Sequence, residues 1–126
     1  LERMGFSVKK RIISPDDQKT IETHIRRAAR GVKLIVLTGG TGLSPRDVTP
    51  EAVMAVCDRI IPGIGETLRS SGGPATAPLS RSVAGQLGKC VIVALPGSGG
   101  GVRDGLCVLE DLLPHAIHIA SGGKHK

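Results

Sequence analysis

The chain is almost without aromatic side chains: Phe6 stands alone, and there is no tryptophan or tyrosine. Recognition of single-stranded nucleic acid by stacking bases on aromatic platforms is therefore disfavoured, and the core must be aliphatic. Cysteine is scarce as well. Cys57, Cys90 and Cys107 are odd in number and widely separated, with no Cys-x-x-Cys pair, so the spacing points neither to a disulfide framework nor to a zinc ribbon. They read as small hydrophobes in a reducing compartment. No apolar run approaches the ~18 residues of a membrane span, and no signal-peptide pattern is present. A cytoplasmic protein that touches no membrane is the expectation. An initiator methionine is missing too: the opening LERMGFSVKK reads as the end of a helix running into a strand, so an N-terminally truncated domain is expected.

What is there fits one domain. The chain has 126 residues, 40% of them apolar and 22% charged, with a formal net charge of +6. The basic residues are spread along the chain (Lys9, Lys10, Arg11; Arg26, Arg27, Arg30; Lys124, Lys126) rather than massed in one tract. That distribution favours steering of a phosphate-bearing small molecule over nucleic-acid binding.

Two short runs, KLIVLT (Lys33 to Thr38) and KCVIVAL (Lys89 to Leu95), are continuously apolar, as strands covered on both faces are. Between and around them helical spacing recurs. Ser14-Pro15-Asp16-Asp17 has the chemistry of a helix start, with Ser14 as the cap and acids in the first turn. Ile21, Ile25, Ala28 and Ala29 then repeat on one face until Gly31. Thr49-Pro50-Glu51 repeats the start signal ahead of Val53, Val56, Cys57 and Ile60. A strand over Ser7 to Ile13, a short helix within Ile61 to Pro78, a brief helix over Ser80 to Ala84 and a final helix from Val102 to Ile119 complete the expectation. Alternating strands and helices predict an α/β three-layer α/β/α sandwich with a mainly parallel central sheet. In such sheets ligands bind beyond the carboxyl ends of the strands. TGGTG after Leu37 and PGSGGG after Leu95 both lie there, so both should face one pocket.

The loops carry the chemistry. Gly39, Gly40 and Gly42 permit positive φ and close approach of backbone N–H groups to an anion, while Thr38 and Thr41 add hydroxyls. No Gly-Lys-Ser/Thr follows, so this is not a Walker A loop. Ser98 has Pro96 where a nucleophile elbow needs glycine, which argues against acyl transfer. By spacing alone, Asp47 is a turn residue and Asp16 a carboxylate serving a helix start. His115 and His118 could share a helical face, but no third metal ligand accompanies them.

Five ordered segments go further: SPDD (Ser14 to Asp17), TGGTGLSPRDVTPEAV (Thr38 to Val53), PGIGETLR (Pro62 to Arg69), LSRSVAG (Leu79 to Gly85) and LPGSGGGVRDGL (Leu95 to Leu106). Together they resemble the Mog/MoaB family of molybdopterin-binding proteins, which includes the molybdopterin adenylyltransferases and the N-terminal domain of gephyrin. The likeness implies a molybdopterin-binding domain over residues 1–126 and a role in molybdenum-cofactor biosynthesis. It implies Mg²⁺-dependent transfer of AMP from ATP to the terminal phosphate of molybdopterin, with pyrophosphate released. It also implies a homotrimer that hands its product to a molybdenum-insertion protein. A non-catalytic module that only holds molybdopterin is the alternative within the same fold. The family's two functionally important aspartates fall on Asp16 and Asp47, which the likeness makes catalytic and metal-binding. Thr38, Gly39, Gly40, Thr41, Gly42, Arg46, Glu66, Ser80, Arg81, Gly97 and Ser98 become pocket residues by the same likeness. The departures are the family's first strand, absent here, and Gly99 and Ile64 where the family commonly has Pro and Phe.

Overall fold

The computed structural model describes residues 5–70, 79–97 and 99–124. In chain order the elements are α1 (Gln18–Ala29), β1 (Leu34–Thr38), α2 (Thr49–Val56), β2 (Arg59–Ile60), α3 (Pro62–Ser70), β3 (Val83–Leu87), β4 (Cys90–Leu95), α4 (Gly99–Leu109) and α5 (Leu112–Ala120). They form an α/β sandwich around one sheet of order β1-β4-β3-β2.

Strand β4 explains the layering. All six of its residues are buried, and they alternate between two cores. Cys90, Ile92 and Ala94 join Ile21 and Ile25 of α1 and Ala52, Val53 and Val56 of α2. Val91, Val93 and Leu95 face the other way, toward Ile64 of α3, Leu109 of α4 and Leu113 of α5. The two-residue period of a strand sends successive side chains to opposite faces, so a run apolar at every position needs helices on both sides. KCVIVAL and KLIVLT, the two runs read as doubly covered, pair parallel from Leu34↔Val91 to Thr38↔Leu95. This parallel pair delivers both glycine loops to the same end of the sheet.

The sheet is extended by antiparallel strands that were not anticipated. Val83–Leu87 pairs with β4 from Val83↔Ala94 to Leu87↔Cys90, and Arg59–Ile60 pairs with Gln86 and Gly85. The expected helix over Ser80 to Ala84 is thus replaced by an irregular approach to β3. The reason is a two-residue hairpin, Gly88-Lys89, in which Gly88 takes φ +57°, a conformation glycine adopts without strain. Pairing with β4 overrides the weak local preference of Ser-Val-Ala.

Four further expectations need correction. Asp17, not Ser14, caps α1: its Oδ2 accepts from the Thr20 amide at 2.9 Å and the Thr20 hydroxyl at 2.6 Å, which leaves Asp16 ahead of the helix. Thr49 opens α2, but no side chain caps it and Val48 holds the cap position. The last helix is two, interrupted at Glu110 and Asp111, because Pro114 lacks an amide proton and fits only the first turn of a helix. α4 also starts earlier than expected, at Gly99. Finally, residues 7–13 form no strand. A strand needs a hydrogen-bonding edge, and a groove of about 1020 Å³ lies between this segment and β1, with Phe6, Val8, Ile12, Ile35 and Val36 among its lining. β1 is accordingly only partly buried. Among the described residues no helix is long and apolar enough to cross a membrane.

Candidate functional site

Both glycine loops leave the carboxyl ends of the parallel pair and pack against each other through bare backbone. The Gly39 amide donates to Leu95 O at 3.0 Å, and a Cβ added at Gly97 would stand 2.9 Å from the Gly39 Cα. Gly39 and Gly40 take φ of +91° and +68°, which residues with a Cβ rarely adopt. At Gly40 a Cβ would also run into the hydroxyl of Thr49, the buried first residue of α2, whose amide donates to Gly40 O at 3.2 Å. Here glycine is required twice over, by conformation and by space. Thr38, Gly39, Gly40 and Thr49 open onto the large groove, where Asp16 and Ser14 also lie.

Asp47 sits across the loop. Its Oδ2 accepts from the Ser44 amide at 2.9 Å while its own amide donates to Ser44 O at 2.9 Å, closing a tight turn. A Cβ on Gly42 would meet that carboxylate at 2.7 Å, so Gly42 is bare to let Asp47 fold over it. Asp47 does not line the large groove that Asp16 lines. Asp16 is exposed.

The remaining expected pocket residues divide. Thr41 is buried and its carbonyl accepts from the Arg81 amide at 2.7 Å. Arg81 bonds within the protein: Nε to Gly42 O at 2.8 Å, one terminal nitrogen to Asp47 O at 2.7 Å, and both terminal nitrogens to Glu51, at 2.5 and 3.1 Å. The hydrogen bonds from Arg81 hold the Glu51 carboxyl below its ordinary range and raise the Arg81 guanidinium in return. Ser80 Oγ lies 3.0 Å from Ser82 Oγ. Arg46 is exposed at the tip of the turn, and Glu66 is exposed on α3. Gly97 is at the loop contact already described; Ser98 lies outside the described residues. Reading of the motifs missed Glu51, Thr49 and Arg69, whose guanidinium donates to Ser82 O at 2.7 Å over Gly65. Glu51 stands within TGGTGLSPRDVTPEAV, but nothing local marks it as the partner of an arginine thirty residues on.

This arrangement suits phosphate chemistry. Bare backbone in such a loop lets amides such as those of Gly40 and Gly42 approach anionic oxygens closely. Magnesium is a hard cation that one or two protein carboxylates hold together with substrate phosphates. Among the described residues no three His, Cys, Asp or Glu gather, while the exposed Asp16 carboxylate and Asp47 Oδ1 remain without a protein partner there. The donor set therefore fits a cation shared with phosphates, not an all-protein cage. Burial pushes the Cys57 and Cys90 thiols up to about 11, which disfavours the nucleophilic thiolate.

The chain is similar to known proteins over most of its length. The family profile described as a probable molybdopterin binding domain matches residues 1–115. The chain is 46% identical over 113 residues to a molybdenum cofactor biosynthesis bifunctional protein of Synechococcus elongatus, covering 87% of this chain and 35% of that protein. It is 40% identical over 91 residues to a molybdopterin adenylyltransferase of Helicobacter pylori, covering 71% of this chain and 52% of that one. It thus spans less than two thirds of either relative. The molybdopterin biosynthesis Mog protein of Mycobacterium ulcerans superposes with a TM-score of 0.88 at 43% identity, over 94% of this chain and 80% of that structure.

Proposed function

The chain belongs to the family of probable molybdopterin-binding domains, and from that premise we propose that it acts in molybdenum-cofactor biosynthesis by adenylylating molybdopterin. A phosphate oxygen of molybdopterin attacks the α-phosphorus of ATP; the bond between the α-phosphorus and its bridge to the β-phosphate breaks, and pyrophosphate leaves. Nucleophile and electrophile are both anionic, so the barrier is lowered by alignment and by neutralising charge. Asp47 and Asp16 would be the carboxylates to hold magnesium together with the phosphates, and the ion would supply that neutralisation.

The chain's own groups do the rest. The loop Thr38, Gly39, Gly40, Thr41 and Gly42, with Gly97 beside it, receives the phosphate and pterin; the Gly39 amide is engaged by Leu95 O, so the amides of Gly40 and Gly42 serve the phosphate. Arg46, exposed beside Asp47, serves as a phosphate contact. By the family likeness Glu66, Ser80 and Ser98 are assigned to the same pocket. A homotrimer, a cytoplasmic location and transfer of the product to a molybdenum-insertion protein belong to the same reading.

The observation that carries it is the crossing of two strand-end glycine loops at Gly39 and Gly97, where a Cβ on Gly97 would stand 2.9 Å from the Gly39 Cα and Gly39 itself holds a positive φ. The test is pyrophosphate release from ATP by the purified protein. Release should require both Mg²⁺ and molybdopterin and be abolished in Asp47→Ala. Molybdopterin binding with no AMP transfer would replace the enzyme by a binding module, and full turnover in Asp47→Ala would remove that residue from the chemistry.

A further inference from the structure

Arg81 occupies a place where a cation might be assigned to the substrate phosphate, yet four of its five N–H donors are used on Gly42 O, Asp47 O and the two oxygens of Glu51. Its charge is also met by a carboxylate at 2.5 Å. An arginine so committed attracts an anion weakly. Glu51 is committed in the same way, both of its oxygens accepting from Arg81.

We propose that Arg81 and Glu51 form a neutral latch that sets the conformation of the glycine loop, both acting as positioning residues for the site assigned above, on which this inference rests. Three carbonyls of the loop are captured by one residue: Thr41 O by the Arg81 amide, Gly42 O and Asp47 O by its guanidinium. A trans peptide points its C=O and the next N–H in opposite directions. Carbonyls of Thr41 and Gly42 turned toward Arg81 therefore aim the amides of Gly42 and Leu43 away from it, and neither amide meets an acceptor among the described residues. A glycine-rich loop free to rotate these peptides would present carbonyl oxygens as readily as amides, which an anion rejects. Glu51, in the first turn of α2, fixes the guanidinium plane through a two-point contact that lysine cannot reproduce. The latch thereby ties the loop to α2 on one side and to the approach to β3 on the other.

Amide hydrogen exchange in the unliganded protein reads the latch directly. Exchange at Ser44, Asp47 and Arg81, whose amides are bonded within this unit, should accelerate about tenfold in Glu51→Gln and in Arg81→Lys, the loss expected for a charge-assisted bond. The double variant should be no worse than either single one, because the two residues act together. Molybdopterin should bind roughly tenfold more weakly to Glu51→Gln although that change removes a negative charge. Wild-type exchange in Glu51→Gln would overturn the latch. Weakened binding in Arg81→Lys with wild-type exchange would make Arg81 a direct ligand instead, which also overturns it. Should the wild-type protein fail to bind molybdopterin, the functional reading falls while the exchange rates still decide the latch.

Discussion

Gly97→Ala is the sharpest single perturbation of the loop crossing. Its Cβ would lie 2.9 Å from the Gly39 Cα, against an ordinary carbon–carbon contact of ~3.5–4.0 Å. The two loops must separate by roughly 0.5–1 Å. Neither side can yield by rotating a side chain, because both sides are backbone, and Gly39 is anchored by its bond to Leu95 O at 3.0 Å. Overpacking of this kind costs ~1–3 kcal/mol, which for a chain of this length lowers Tm by roughly 3–6 °C per kcal/mol. The loops' amides also move apart by a distance comparable to the tolerance of a hydrogen bond, so molybdopterin affinity should fall at least tenfold. Gly100→Ala is the control: no atom lies within 4 Å of the added carbon, and the position is inside α4, so helix propensity should raise stability by ~0.5–1 kcal/mol. Thermal unfolding and equilibrium dialysis with molybdopterin measure both. A Gly97→Ala protein that matches wild type in Tm and affinity would refute the claim that the loops touch through bare backbone.

Two further predictions concern charges. Hydrogen bonds from Thr20 hold the Asp17 carboxyl below its ordinary range; its stabilisation is present above the unfolded carboxylate pKa and is lost as pH falls through the folded one. Asp17→Ala should therefore lower Tm by roughly 3–6 °C near neutrality and flatten the acid limb of the stability profile, whereas the exposed Asp16→Ala should leave Tm unchanged and reduce Mg²⁺-dependent turnover. Cys57 and Cys90 are raised by burial from 9.0 to about 11, so their thiols favour the folded state below pH 9 and that contribution disappears as pH rises toward 11. Urea midpoints should fall across that window, and less so in Cys90→Val. At neutral pH an aromatic disulfide reagent should label the exposed Cys107 and leave the other two intact.

Elements whose cause is local were legible in the sequence. A continuously apolar strand such as Cys90–Leu95 states its own double burial, and the repeat Ile21, Ile25 states the face of α1. The loops were legible as well, since runs of glycine after such strands have few other uses. What escaped detection depends on partners distant along the chain. Val83–Leu87 becomes a strand because β4 folds back beside it, not because its residues favour extension. Residues 7–13 have the composition of a strand and lack an adjacent edge. The cap of α1 was misplaced by three residues because Ser14 and Asp17 are both good caps, and only the Thr20 hydroxyl, a second donor to Asp17, separates them. The Arg81–Glu51 pair joins residues of different motifs, and no spacing rule connects them.

The central claim is that the crossing of the two glycine loops cradles the molybdopterin phosphate. A ¹H–¹⁵N correlation spectrum titrated anaerobically with molybdopterin addresses it most directly. The account predicts that the largest shifts fall on the amides of Gly40, Gly42, Leu43 and Gly97 and saturate together with one affinity. Saturable binding that leaves those four amides in place and moves resonances elsewhere would contradict it.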